Sequence, residues 1–237
     1  MRKVTLKILL LTVMAWSFGP VSAQEQRIDD IPMYGQPAIP RPENLKKADE
    51  DFINEAVAGL GTREAASKAW FAQGEEFLQK RNLDFAMRRY NQAWLLNPNN
   101  YQPYWGFGRV MLERGKFDEA IDYLERSKAL IDDQYQRIGL IVDLGTAYSV
   151  KAEAVSKTNA ADEGARFFAL ANHTYNEALS LDPKYGNGWW RWAMSLYEQG
   201  DYAQAWEKVQ QARAQNARPF PPAFLRALEQ KMPEPRY

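Results

Sequence analysis

The chain has 237 residues, with 30 Lys and Arg against 30 Asp and Glu, one histidine and no cysteine. Balanced charge gives no reason to propose nucleic acid or anionic lipid as a partner. The missing cysteines exclude disulfides and thiol nucleophiles, and a lone histidine leaves no zinc set.

The first residues read as an export signal. Arg2, Lys3 and Lys7 are positive, Ile8 to Phe18 is apolar but too short to span a bilayer comfortably, and Val21-Ser22-Ala23 supplies the small residues that signal peptidase reads. Cleavage is expected before Gln24. A membrane anchor is the competing reading, but no stop-transfer pattern follows, and no cysteine is present to carry a lipid. Removing residues 1–23 leaves 214 residues in which 27 bases face 30 acids. The mature chain is expected to be soluble and periplasmic, without membrane contact.

Residues 24–41 carry Pro32, Gly35, Pro37 and Pro40 and read as an extended tether, disordered or lying on the surface. From Pro42 the spacing Leu45, Ala48, Phe52, Ala56 describes an amphipathic helix ending near Gly59 and Gly61. Residues 42–66 thus form an N-terminal cap and lead-in.

A period of 34 residues begins at Ser67. With Ser67 as position 1, Trp70, Gly74, Phe77, Ala86, Tyr90, Ala93 and Pro98 fall at positions 4, 8, 11, 20, 24, 27 and 32. Starting again at Tyr101 gives Tyr104, Gly108, Met111, Ala120, Leu124 and Ser127, with Asp132 in place of the closing proline. Small residues at 8, 20 and 27 let two helices approach, the large ones fill the space between them, and proline ends the second helix. Gly115 and Gly200, at position 15, supply the turn between helices A and B.

The third copy is interrupted. Ile141, Leu144, Gly145 and Tyr148 fit its first half and Ala171, Tyr175, Ala178 and Pro183 its second, with 14 extra residues between them, near 151–164. Divided evenly, these lengthen each helix by about two turns and predict a hairpin joined near Lys157 to Ala160, projecting roughly 10 Å past its neighbours. A disordered loop is the alternative, given Thr158-Asn159. The fourth copy starts at Gly186 with Trp189, Trp192, Ala193, Leu196, Ala205, Val209 and Ala212 in register. Ala223 to Met232, with Phe224, Leu225 and Leu228 on one face, reads as a C-terminal cap within 218–237.

This register resembles the tetratricopeptide repeat (TPR) family over residues 67–217. Met87 to Phe107, taken with the signal segment, is similar to exported bacterial TPR proteins. The resemblance implies an all-α, right-handed superhelix (an α-solenoid) of about four hairpins, capped at both ends and with a concave groove. It names no partner.

In TPR proteins, ligands meet helix A at positions 2, 5, 6, 9, 12 and 13. By resemblance the groove would show Phe71, Glu75, Gln79, Trp105, Arg109, Glu113, Asp143, Asn187, Trp190, Arg191, Tyr197 and Glu198. Trp105 and Trp190 would be exposed anchors or rings packed on a neighbouring helix. Arg109 and Arg191 would pair with a ligand carboxylate or with Glu75, Glu113 or Glu198 inside the groove. The basic, asparagine-rich clamp of chaperone-binding TPRs is absent, since Phe71, Glu75 and Gly106 hold its places. Trp70, Tyr90, Tyr104, Tyr175, Trp189 and Trp192 sit at packing positions, while the exposure of Trp94 and Trp206 stays open.

Chemistry has little to work with. His173 falls at position 22, an exposed place on helix B, and neither Asp49-Glu50-Asp51 nor Asp132-Asp133 pairs with a second catalytic element. Gly106 and Gly108 lie inside a helical repeat and make no phosphate loop. No enzyme activity, metal or cofactor is expected. Three binding roles remain: a periplasmic scaffold holding a protein or peptide in its groove, a chaperone or toxin-immunity protein with a dedicated client on the third hairpin, and a saccharide-binding module.

Overall fold

Helices that double back at a fixed interval need small residues where they cross, and this requirement shapes the whole chain. The computed structural model describes residues 27–158 and 160–235. The signal segment and the cleavage point before Gln24 lie outside the described residues. Within them, helix α1 (Glu43–Leu60) precedes four antiparallel hairpins. These are α2 (Arg63–Gln79) with α3 (Leu83–Leu96), α4 (Tyr101–Glu113) with α5 (Phe117–Leu130), α6 (Gln134–Ser156) with α7 (Ala161–Leu181), and α8 (Gly186–Glu198) with α9 (Tyr202–Ala214). Helix α10 (Pro222–Lys231) closes the stack, and no strand occurs among the described residues.

Local chemistry sets the boundaries. The side chains of Thr62, Asn82, Asn100, Asp133 and Asp201 accept from backbone N–H groups at the starts of α2, α3, α4, α6 and α9. Gly115 (φ 73) and Gly200 (φ 77) make the left-handed turns expected of them. Arg81 takes the same conformation (φ 57) in the first hairpin, a strain of about 1 kcal/mol that glycine would not carry. All three turns close identically: Asn82 N–H donates to the Phe77 carbonyl at 2.9 Å, Lys116 to Met111 at 2.9 Å and Asp201 to Leu196 at 3.0 Å.

The seam inside each hairpin is a small residue facing a large one. A Cβ on Gly74 would overlap the Tyr90 ring, one on Gly108 would stand 2.6 Å from Leu124, and one on Gly145 would stand 2.9 Å from Tyr175. Tyr90 is also pressed by Gly106 of the next hairpin, where a Cβ would lie 2.7 Å away. One fully buried ring is therefore gripped between α2 and α4.

The insertion in the third hairpin is helical. Helix α7 has 21 residues against 14 in α5, the seven extra that the spacing predicts. Helix α6 has 23 against 13 in α4, because it also begins at Gln134, ahead of Ile138. Ala152 and Gly164 are buried against each other's helix near the tip, so the extension has a dry seam of its own. Lys151 pairs with Asp118 of α5 and lies 4.0 Å from the centre of the Phe167 ring, which ties the extension back to the second hairpin.

Both ends are covered. Phe52, Ile53 and Ala56 of α1 pack on Trp70 and Leu96, while Phe224, Leu225 and Leu228 of α10 pack on the last hairpin. Trp206 is buried there and donates to the Met232 carbonyl at 2.9 Å. Trp94 is half-buried and donates to Tyr104 Oη at 2.9 Å.

Over residues 27–41 the segment lies on the surface, one of the two expected alternatives, but it is folded and not extended. Ile28–Asp30 and Pro32–Gly35 form 3-10 turns that dock on α3, with Met33 and Tyr34 buried. Asn91 holds the segment at three points: its amide donates to the carbonyls of Asp29 and Ile31 at 2.9 Å each and accepts from Tyr34 N–H at 3.3 Å. Arg114 donates to the Asp30 carbonyl at 2.8 Å, and Arg41 pairs with Asp49 while lying over the Tyr34 ring. Proline content suggests an extended chain, but this segment satisfies its backbone on a side chain 57 or more residues away.

Candidate functional site

Helices α2, α4, α6 and α8 stand side by side and form the inner face. Between them lies a groove of about 540 Å³ whose walls include Leu78, Gln79, Arg81, Arg109, Glu113, Asp143, Thr146 and Arg191. Its floor is a chain of charges running across three hairpins. Glu75 of α2 accepts from Tyr90 Oη at 2.6 Å and pairs with Arg109 of α4 at 2.5 Å. Arg109 Nε lies 3.7 Å from Asp143 of α6, and the same carboxylate oxygen accepts from Trp105 Nε1 at 2.8 Å.

Burial and pairing act against each other in this network. Burial alone would lower the Arg109 pKa, but Glu75 and Asp143 outweigh it and raise the value. Burial raises Asp143 above its ordinary value despite the opposing pull of Arg109, the Trp105 hydrogen bond and Arg191. The Tyr90 phenol is raised first by burial and then by the charge of Glu75. Each member is fixed by at least one other, so this stretch is a rigid polar floor.

The opposite end of the face differs. Arg191 of α8 makes no ion pair with any described residue, and its Nε is enclosed without a hydrogen-bond partner. Its guanidinium lies 4.9 Å from the centre of the Trp190 ring. Trp190 is half-buried, its Nε1 also enclosed without a partner. It lines a second, mostly apolar cavity of about 620 Å³ with Gly186, Asn187 and the segment Arg218 to Pro222.

Several expected groove residues belong elsewhere. Phe71 is buried, tilted against Tyr90 at 5.5 Å between ring centres, because α2 turns that position into the first core. Tyr197 packs on Tyr202 and Phe224, under the C-terminal cap. Trp105 is no free anchor: it packs on α6, where a Cβ on Gly139 would stand 3.3 Å from its ring, and its N–H is committed to Asp143. Glu113 pairs with Arg81 at 3.0 Å and not with Arg109 or Arg191. Gln79 and Glu198 are exposed at the rim, and Asn187 is exposed at the start of α8. Glu75, Arg109 and Asp143 are brought together, and Trp190 and Arg191 form a separate pair.

Sequence reasoning missed three contributors: the Tyr90 hydroxyl, Arg81, and the wall from Arg218 to Pro222. Only Pro221-Pro222 advertised itself, as a stiff segment after the last repeat. His173 is exposed on α7, and no group of three or more His, Asp or Glu among the described residues is placed to hold a metal ion. No helix among them is long and apolar enough to cross a membrane.

No protein-family profile matches this sequence. No curated protein matches it either. Solved structures do match by shape. TTC0263, a thermophilic TPR protein of Thermus thermophilus, is similar with a TM-score of 0.55 and 18% identity, over 62% of this chain and 73% of that one. MamA is similar with a TM-score of 0.47 and 14% identity, over 75% of this chain and 96% of that one. The pilF protein of Pseudomonas aeruginosa gives 0.47 and 15%, over 74% and 80%. The fold is a TPR solenoid, as the 34-residue register implies.

Proposed function

We propose that this protein is an exported, non-catalytic scaffold that holds a partner polypeptide in its concave groove, in assembly or regulation of the cell envelope. The observation that carries the reading is the floor of Glu75, Arg109 and Asp143, whose ion pairs order the groove across three hairpins. A surface already ordered loses little conformational entropy on binding, which favours recognition over induced folding. The leader ending at Ala23 supports export.

The reading is tested in cells with photo-crosslinking residues at the exposed rim positions Gln79 and Asn187. The expected result is one envelope polypeptide captured from both positions, on a protein whose N-terminus begins at Gln24. Capture of nothing, or a chain that keeps residues 1–23 in the cytoplasm, overturns it. Crosslinks confined to the tip of the third hairpin would instead support a dedicated client held there.

A further inference from the structure

The two cavities of the inner face meet at adjacent residues. The polar groove ends on Arg191, and the apolar cavity begins on Trp190. Of the three arginines on the polar groove, Arg109 is held by Glu75 and Asp143 and Arg81 by Glu113, whereas Arg191 has no acidic partner among the described residues. Across the apolar cavity stands Arg218, exposed and likewise without an acidic partner among them. Arg191, 4.9 Å from the centre of the indole, and Arg218, on the cavity wall, are therefore both outside any ion pair among the described residues.

We propose that this end of the groove recognises an acidic side chain next to an apolar one within a partner polypeptide. Arg191 takes the carboxylate and the Trp190 cavity takes the apolar group. A planar guanidinium with free terminal N–H groups matches a carboxylate in two parallel hydrogen bonds, which a lysine does not reproduce. The cavity walls suit an apolar side chain because Trp190, Pro219, Phe220 and Pro222 present stiff carbon surfaces that lose little freedom on contact. The acid is internal to the ligand, because cavities open on both sides of Arg191 and a chain ending there would fill only one of them. This inference rests on the groove reading above and adds the chemistry of what is read.

The test uses the mature chain and short, end-capped peptides bearing one glutamate beside one phenylalanine, with affinity followed by fluorescence anisotropy. The glutamate peptide is expected to bind about tenfold more tightly than its glutamine counterpart, the worth of one charged hydrogen-bonded pair. R191Q should erase that ratio while leaving the glutamine peptide unchanged, and R191K should restore only part of it. W190L should weaken both peptides together, and each variant's helicity by circular dichroism reports whether the fold is intact. Equal binding of the two peptides, a ratio that survives R191Q, no binding of either, or preference for a peptide whose only carboxylate is its terminus overturns the proposal. Capture of a partner from Gln79 and Asn187 without any preference for acid would remove this proposal and leave the groove reading standing.

Discussion

The two ends of the inner face carry a tryptophan at the same repeat position, Trp105 and Trp190, yet are finished differently. At the N-terminal end Glu75, Arg109, Asp143 and Trp105 satisfy one another across three hairpins. At the C-terminal end Arg191 and Trp190 keep enclosed nitrogens without partners. Enclosed donors left unpaired cost free energy, on the order of 1–3 kcal/mol each. Groove charges at the N-terminal end are neutralised by internal ion pairs, whereas Arg191 forms none among the described residues.

The contrast is open to direct attack. The largest effect is expected at the floor's foundation, where Gly74→Ala would drive a Cβ into the Tyr90 ring that Gly106 already confines. A loss of about 3 kcal/mol is expected in urea unfolding, since overpacking of a confined ring has no cheap relaxation. A tolerated Gly74→Ala would mean that the ring is not gripped. Next, Arg109→Gln should cost about 2 kcal/mol in the same assay, because it leaves two part-buried carboxylates unpaired; partial exposure keeps the figure below that of a fully buried pair. Asn91→Ala should cost about 1–2 kcal/mol and release residues 27–41, seen as lost hydrogen-exchange protection at Tyr34 N–H while the hairpins keep theirs.

Alkaline titration gives a further check. Burial pushes Tyr123 up to about 12, with Glu119 adding to the effect, and raises Tyr34, Tyr90, Tyr148 and Tyr175 further. A phenol raised in the folded state gives stability that is complete below about pH 10, where the unfolded chain's phenols ionise, and is lost as the pH rises through 12. Phenolate absorbance should therefore rise in two stages, the exposed rings first and the buried ones together with loss of helical circular dichroism. The smallest effect is expected at the open end, where Arg191→Gln should change stability by no more than about 0.5 kcal/mol. A cost as large as that of Arg109→Gln would show that Arg191 is structural, and the distinction between the two ends would fall.

Much of the architecture was legible in the sequence because it rests on local spacing. A glycine 16 residues before Tyr90 or Leu124 marks the seam of its hairpin, and the fourteen surplus residues divide between two helices on spacing alone. The caps followed from apolar faces that a solenoid has to cover. The site was legible only as a set of positions. Glu75, Arg109 and Asp143 repeat at 34-residue intervals, but the register fixed by Gly145 placed Asp143 at a different helical position from the other two. Their convergence depends on how far α6 is shifted along α4, which is a packing outcome.

The hairpins, their seams, the lengthened third repeat and the two caps are therefore properties of the amino-acid order, since each follows from residues within one repeat period of each other. Tertiary packing settled what remained. It turned Phe71 and Tyr197 away from the groove, locked Trp105 onto Asp143, and folded residues 27–41 onto Asn91. It also left Arg191 and Trp190 unpartnered at the mouth of a proline-walled cavity. These outcomes depend on the angles and offsets at which the elements pack, sums of many small contacts that no single spacing encodes.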